Sequence, residues 1–150
     1  MKSSIFALIL TLAAVTANAA AGGKAETITG VISGAHCGVN GMACPASDDL
    51  RRSELPGVFT ADNTFYFLTN VPQAFLSQWP AASVTVEGTV YAQERAIDAR
   101  KVSVKDGSGW RTVFDNGSII DAMGHKEKLS SAAQIDGKWY CAKCAAMQGK

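Results

Sequence analysis

Residues Ser83 to Tyr91 (SVTVEGTVY) place an apolar side chain at every second position, with Val84, Val86 and Val90 set among Ser, Thr and Glu. A period of two marks a strand with one buried face, because successive strand side chains point to opposite sides of a sheet. Gly88 interrupts the pattern, and a glycine inside a strand marks a bulge or a sharp bend. A chain with this segment at its centre is expected to fold around a bent sheet.

Other segments agree. Glu26 to Ser33 (ETITGVIS) is rich in β-branched residues, ends at Gly34 and reads as the first strand. A long loop from His36 to about Pro56 follows, in which Ser47 to Arg52 can form one helical turn with Ser47 as its cap. Gly57–Thr60 and Thr64–Leu68 flank the turn pair Asp62-Asn63 and form a hairpin. Val71 to Trp79 reads as a short helix, with Pro72 in its first turn and Pro80 ending it. Ile97 to Val104 is the fifth strand. Five short strands with a helix before the fourth predict an all-β fold, a small closed barrel, and interior glycines let its strands bend to close.

Beyond Asp106-Gly107-Ser108-Gly109 the pattern changes. Trp110–Phe114, the turn Asp115-Asn116-Gly117 and Ser118–Ala122 predict a second hairpin. Residues 123 to 134 carry no clear period, and Asp136-Gly137 turns the chain into Lys138-Trp139-Tyr140 and Cys141. Residues 106–150 are therefore expected to form a C-terminal β-hairpin extension packed on the barrel.

The N-terminus predicts export. Lys2 precedes an apolar run from Ile5 to Val15, and Ala17-Asn18-Ala19 is a small-x-small cleavage pattern. Residues 1–19 read as a signal peptide cut near Ala19/Ala20, and 20–25 as a flexible start. The apolar run is shorter than the roughly 20 residues a membrane helix needs. The mature chain is expected in a bacterial periplasm or outside the cell. Its net charge of +1, with Lys and Arg scattered among Asp and Glu, argues against a nucleic-acid partner.

Thr29-Gly30-Val31-Ile32-Ser33 leading into Cys37-Gly38, then Val84-Thr85-Val86-Glu87-Gly88-Thr89-Val90 and Ile97-Asp98-Ala99, resemble small secreted bacterial OB-fold proteins. In these, a first strand runs into a Cys-bearing loop and two later strands close the barrel. The resemblance covers residues 26–105 and implies an OB-like barrel. It lends a fold more than a function, and the final Cys-Ala-Lys-Cys departs from it.

After the leader, every Cys, His and Met falls into one of three clusters. The first holds His36, Cys37, Met42 and Cys44, the second Met123 and His125, and the third Cys141, Cys144 and Met147. In an oxidising compartment Cys37, Cys44, Cys141 and Cys144 read first as two disulfides, within each pair or across the pairs. Thiolate and thioether ligands favour Cu(I), and imidazole extends the choice to Cu(II) or Zn(II). His36, Met42, Met123, His125, Cys141, Cys144 and Met147 are therefore candidate metal ligands, with copper ahead of zinc. A Met-x-His spacing on an extended segment would point Met123 and His125 to one face. Cys141-Ala142-Lys143-Cys144 can also run thiol–disulfide exchange, although no thioredoxin half follows it.

No Gly-x-Ser-x-Gly elbow and no glycine-rich phosphate loop occurs, so no catalytic residue is assigned. The leading expectation is a non-enzymatic exported binding or accessory protein, stapled by disulfides, that contacts another periplasmic protein or handles a metal. A copper or zinc protein and a thiol–disulfide exchanger are the alternatives.

Overall fold

The computed structural model describes residues 22–43, 54–107, 109–121, 123–135 and 138–141, with backbone only at 133, 135, 138 and 141. The expected leader, the turn at Ser47–Arg52, Cys44, Cys144 and Met147 lie outside the described residues.

The barrel begins with β1 (Lys24–Gly34). Its first part, residues 24–31, pairs antiparallel with β4 (Ser83–Tyr91), and its second part, 30–34, with β2 (Pro56–Thr60). Gly30 belongs to both ladders, facing Val84 on one side and Thr60 on the other. A Cβ there would stand 2.3 Å from the Phe59 carbonyl oxygen, so only glycine lets the strand pass this corner.

β2 turns into β3 (Phe65–Leu68) through Asp62-Asn63, with Asn63 in the left-handed region at φ 61°. β4 returns along β5 (Ala96–Asp106), and the pairing slips between Glu87 and Gly88. The bulge expected at Gly88 is present. A Cβ on Gly88 would lie 2.3 Å from the Asp98 carbonyl oxygen.

Closure comes from β3, which pairs in parallel with β5 at Phe67↔Ala96 and Leu68↔Ile97. The strands therefore run β1-β2-β3-β5-β4 and back to β1, an OB-like closed five-stranded barrel. The closing seam is short, and side chains extend it. Thr69 N–H donates to the Ile97 carbonyl at 3.0 Å. The Asn70 amide then bonds Ala99 twice: Nδ2 donates to its carbonyl at 2.7 Å, and Oδ1 accepts its N–H at 2.9 Å. One side chain thus supplies the donor and acceptor that a further strand residue would have offered.

The short helix falls before the fourth strand, as α2 (Gln73–Leu76), and puts Phe75 and Leu76 fully into the core. The same core holds Ile32, Val58, Val84, Val86, Ile97, Val102 and Val104. One helix was not expected. α1 (Ala35–Val39) follows β1, without a side-chain cap. Gly38 lies against the Phe65 ring, where a Cβ would come within 2.0 Å of it. Phe65 meets Phe67 edge-on at 5.0 Å between centroids. Of the three consecutive aromatics, Tyr66 packs on the main core and Phe65 is buried beneath α1.

The extension shares the core. β6 (Gly109–Asp115) pairs with the second half of β5, and β7 (Ser118–Ile120) returns through Asn116-Gly117. Both turn residues have positive φ, 46° and 75°, as a two-residue type I′ hairpin requires. Val113, Phe114 and Ile119 are wholly buried in the main cluster. β8 (Lys126–Lys128) borders β7, and Lys126 reaches Asp115 at 2.5 Å. This Lys126 contact holds the Asp115 carboxyl below its usual pKa. A separate ribbon of β9 (Ala132–Ile135) and β10 (Lys138–Cys141) docks through Trp139, which meets Phe75 edge-on at 6.3 Å.

Asn70→Ala removes both bonds at the seam without touching the apolar core. Thermal or urea unfolding is expected to show a loss of about 1–3 kcal/mol, two ordinary net hydrogen bonds. An unchanged midpoint would show that the seam closes without them. Gly30→Val is expected to prevent folding, read as loss of a cooperative transition, because the neighbour it meets is backbone.

Candidate functional site

The described parts of the three ligand clusters sit on different elements. His36 and Cys37 belong to α1, which packs on β1, β2 and β3. Met42 follows it and is 58% exposed. Met123 and His125 lie between β7 and β8, in strands added on the β5 side of the barrel. Cys141 ends β10. Among the described residues no three His, Cys, Asp or Glu side chains form a group able to hold a metal ion. Cys37 is held in a disulfide. The side chains of Cys44, Cys141 and Cys144 lie outside the described residues.

Met123 and His125 are organised by a residue the sequence reading passed over. Asp121 is 2% exposed, and its Oδ1 accepts two backbone N–H bonds, from Met123 at 2.9 Å and His125 at 2.8 Å. Its own N–H donates to the His125 carbonyl at 3.0 Å, and Gly124 N–H donates to its carbonyl at 3.0 Å. His125 Nδ1 lies 3.5 Å from the second carboxylate oxygen. Asp121, Met123, Gly124 and His125 thus form a turn around one buried carboxylate, with Gly124 at φ 84°. The extended Met-x-His segment expected here is instead a tight turn, and the shared-face argument does not apply. Asp at the first position of a turn with Gly three residues later was the signal available in the sequence.

A separate concavity, a groove of about 770 Å³, lies at one end of the β1-β4-β5 sheet. Small residues run through it. The rows Ile28–Val86–Val102 and Val90–Ile97 fill the inner face with branched side chains. Between them stands the row Glu26–Gly88–Ala99, in which two members are nearly devoid of side chain. The β5 backbone closes up on Gly88, the Asn70 amide and the Asn116-Gly117 turn wall the far side of the groove, and Glu87 and Arg100 meet at its rim. Asn116 is fixed there by its N–H, which donates to the Arg100 carbonyl at 2.7 Å.

The charges are arranged in pairs. Glu87 receives Arg100 at 2.7 Å and Lys101 at 3.4 Å, and Glu26 receives Lys24 at 2.8 Å. The Glu26 contact raises the Lys24 pKa, through its hydrogen bond first and its charge second. Asp98 adds an exposed carboxylate. The lining therefore offers carboxylates, amides and backbone groups over a small-residue floor, suited to holding a polar group by hydrogen bonds.

No protein-family model, curated protein or solved structure matches the chain. Among the described residues no helix is long and apolar enough to cross a membrane.

Asp121→Ala tests the turn. Two backbone donors lose their acceptor, and unfolding is expected at about 1–3 kcal/mol less. His125→Ala keeps the backbone bonds and is expected to change stability by less than about 0.5 kcal/mol. Equal losses for both variants would show that the ring, not the carboxylate, holds the turn.

Proposed function

We propose that this chain is an exported, non-enzymatic binding or accessory protein, stapled by disulfides, that engages another periplasmic protein through the groove at the end of its barrel. The observation that carries this reading is the groove itself, a polar recess held by bonds on every side. Asn70 fixes its wall to β5, the I′ turn is tied to Arg100, and Gly88 at the bulge lines it. A recess built this rigidly loses little conformational freedom when it binds, which is how a preformed site gains affinity. The Cys37 disulfide supports the staple part of the reading.

Two rivals keep their own support. Met42, Met123 and His125 are exposed and carry side chains of the soft-metal ligand types. The Cys141/Cys144 spacing suits thiol–disulfide exchange, on sequence alone.

One experiment separates the three. Protein recovered from the periplasm is assayed for free thiols, with and without denaturant, and for bound metal. The proposal expects neither. Stoichiometric copper or zinc that disappears in Met123→Ala/His125→Ala would replace it with the metal reading. A disulfide reduced far faster than the rest, with Cys144→Ser trapping mixed disulfides through Cys141, would replace it with exchange. A photo-crosslinking residue at Thr89 in the groove is expected to capture one defined protein that the same residue at Lys105 does not. Equal capture at both positions would remove the groove from the proposal.

A further inference from the structure

β1 outruns its partner. β2 pairs only with residues 30–34, and then turns away at Ala61, so residues 24–29 have β4 on one side alone. The direction of the backbone groups follows from the bonds around the corner. Ile32 donates to the Ala82 carbonyl at 2.9 Å and accepts from Ala81 N–H at 2.9 Å, so its groups face the β4 side. Thr60 donates to the Thr64 carbonyl, away from β1, so the opposing Gly30 also turns toward β4. Alternation then sends the groups of Glu26 and Ile28 toward β4, and those of Ala25, Thr27 and Thr29 outward. These three residues are exposed, and among the described residues nothing pairs with their outer edge. An open edge of this kind is a template for another strand.

We propose that this edge pairs with the same edge of a second copy of the chain, antiparallel and two-fold symmetric about Ala25. Charge selects the occupant and the register. A two-fold contact must be complementary to itself. With Ala25 opposite the partner subunit's Ala25, Lys24 stands opposite Glu26 of the partner subunit, and Glu26 opposite Lys24 of the partner subunit. These are positions whose own backbone bonds go to β4, so across the new interface they form the closely spaced non-hydrogen-bonded pairs in which opposite charges act most strongly. Gly23 stands opposite the partner's Thr27, and Ile28 opposite the partner's Gly22. This register ends before Gly30, where β2 begins, so the hairpin turn does not obstruct it. A shift of register by one residue would lose both charge pairs.

The test is self-association of the oxidised mature chain, followed by sedimentation equilibrium from micromolar to millimolar concentration. A monomer–dimer equilibrium is expected. Thr27→Pro removes an outward N–H while leaving the β4 ladder intact, and is expected to abolish the dimer with the fold preserved by circular dichroism. Lys24→Glu and Glu26→Lys each set like charges opposite one another, and each is expected to weaken the homodimer roughly tenfold. Mixed together, the two single variants restore both opposite-charge pairs and are expected to recover the parent affinity as a heterodimer. A chain monomeric throughout, a dimer indifferent to Thr27→Pro, or a mixture no tighter than either variant alone would overturn the proposal.

Discussion

The barrel depends on the seam where β3 meets β5. Every other neighbour in the barrel is antiparallel, whereas this junction is parallel and, like the β2–β3 hairpin, spans only two pairs. Without it, β3 and β5 would present open edges, and the side chains of Leu68 and Ile97 would line a gap. Thr69 and Asn70 continue the junction with one backbone bond and two amide bonds. The same Asn70 bonds fix Ala99, beside the bulge that lines the groove. Closure of the fold and shape of the candidate site therefore share one small set of contacts.

Much of this was legible in the sequence because its signals are local. The alternation of Ser83–Tyr91, the glycine inside it and the turn pairs Asp62-Asn63 and Asn116-Gly117 each act within a few residues. The short helix before the fourth strand also lay where Pro72 and Pro80 bracket it, although it settles to the single turn Gln73–Leu76. The strands of the extension were visible too, but not that Val113, Phe114 and Ile119 would complete the barrel's own core.

What the sequence hid depends on distant contacts. α1 has no side-chain cap and carries Gly38 within a single turn, and it exists where that glycine fits the Phe65 ring. Asn70 reads as a loop residue until Ala99, far along the chain, comes beside it. The groove is assembled from β1, β4, β5, Asn70 and the Asn116-Gly117 turn, segments far apart in the chain, and none of them alone suggests a recess. Asp121 lies outside the Cys, His and Met clusters, and its role shows only once its carboxylate meets the Met123 and His125 amides. The ligand clusters that dominate the sequence thus belong, where described, to separate local structures: a helix that covers Phe65 and a turn around a buried carboxylate.

Native-state hydrogen exchange at the seam tests the central claim most directly. The amides of Phe67, Thr69 and Ala99 donate to Arg95, Ile97 and Asn70 respectively. If the seam closes the barrel, all three exchange only through global unfolding, with the same free energy as Val86 and Val102 in the core. Exchange of these three by a separate, lower-energy opening, while the core stays protected, would show a barrel that holds together without its seam.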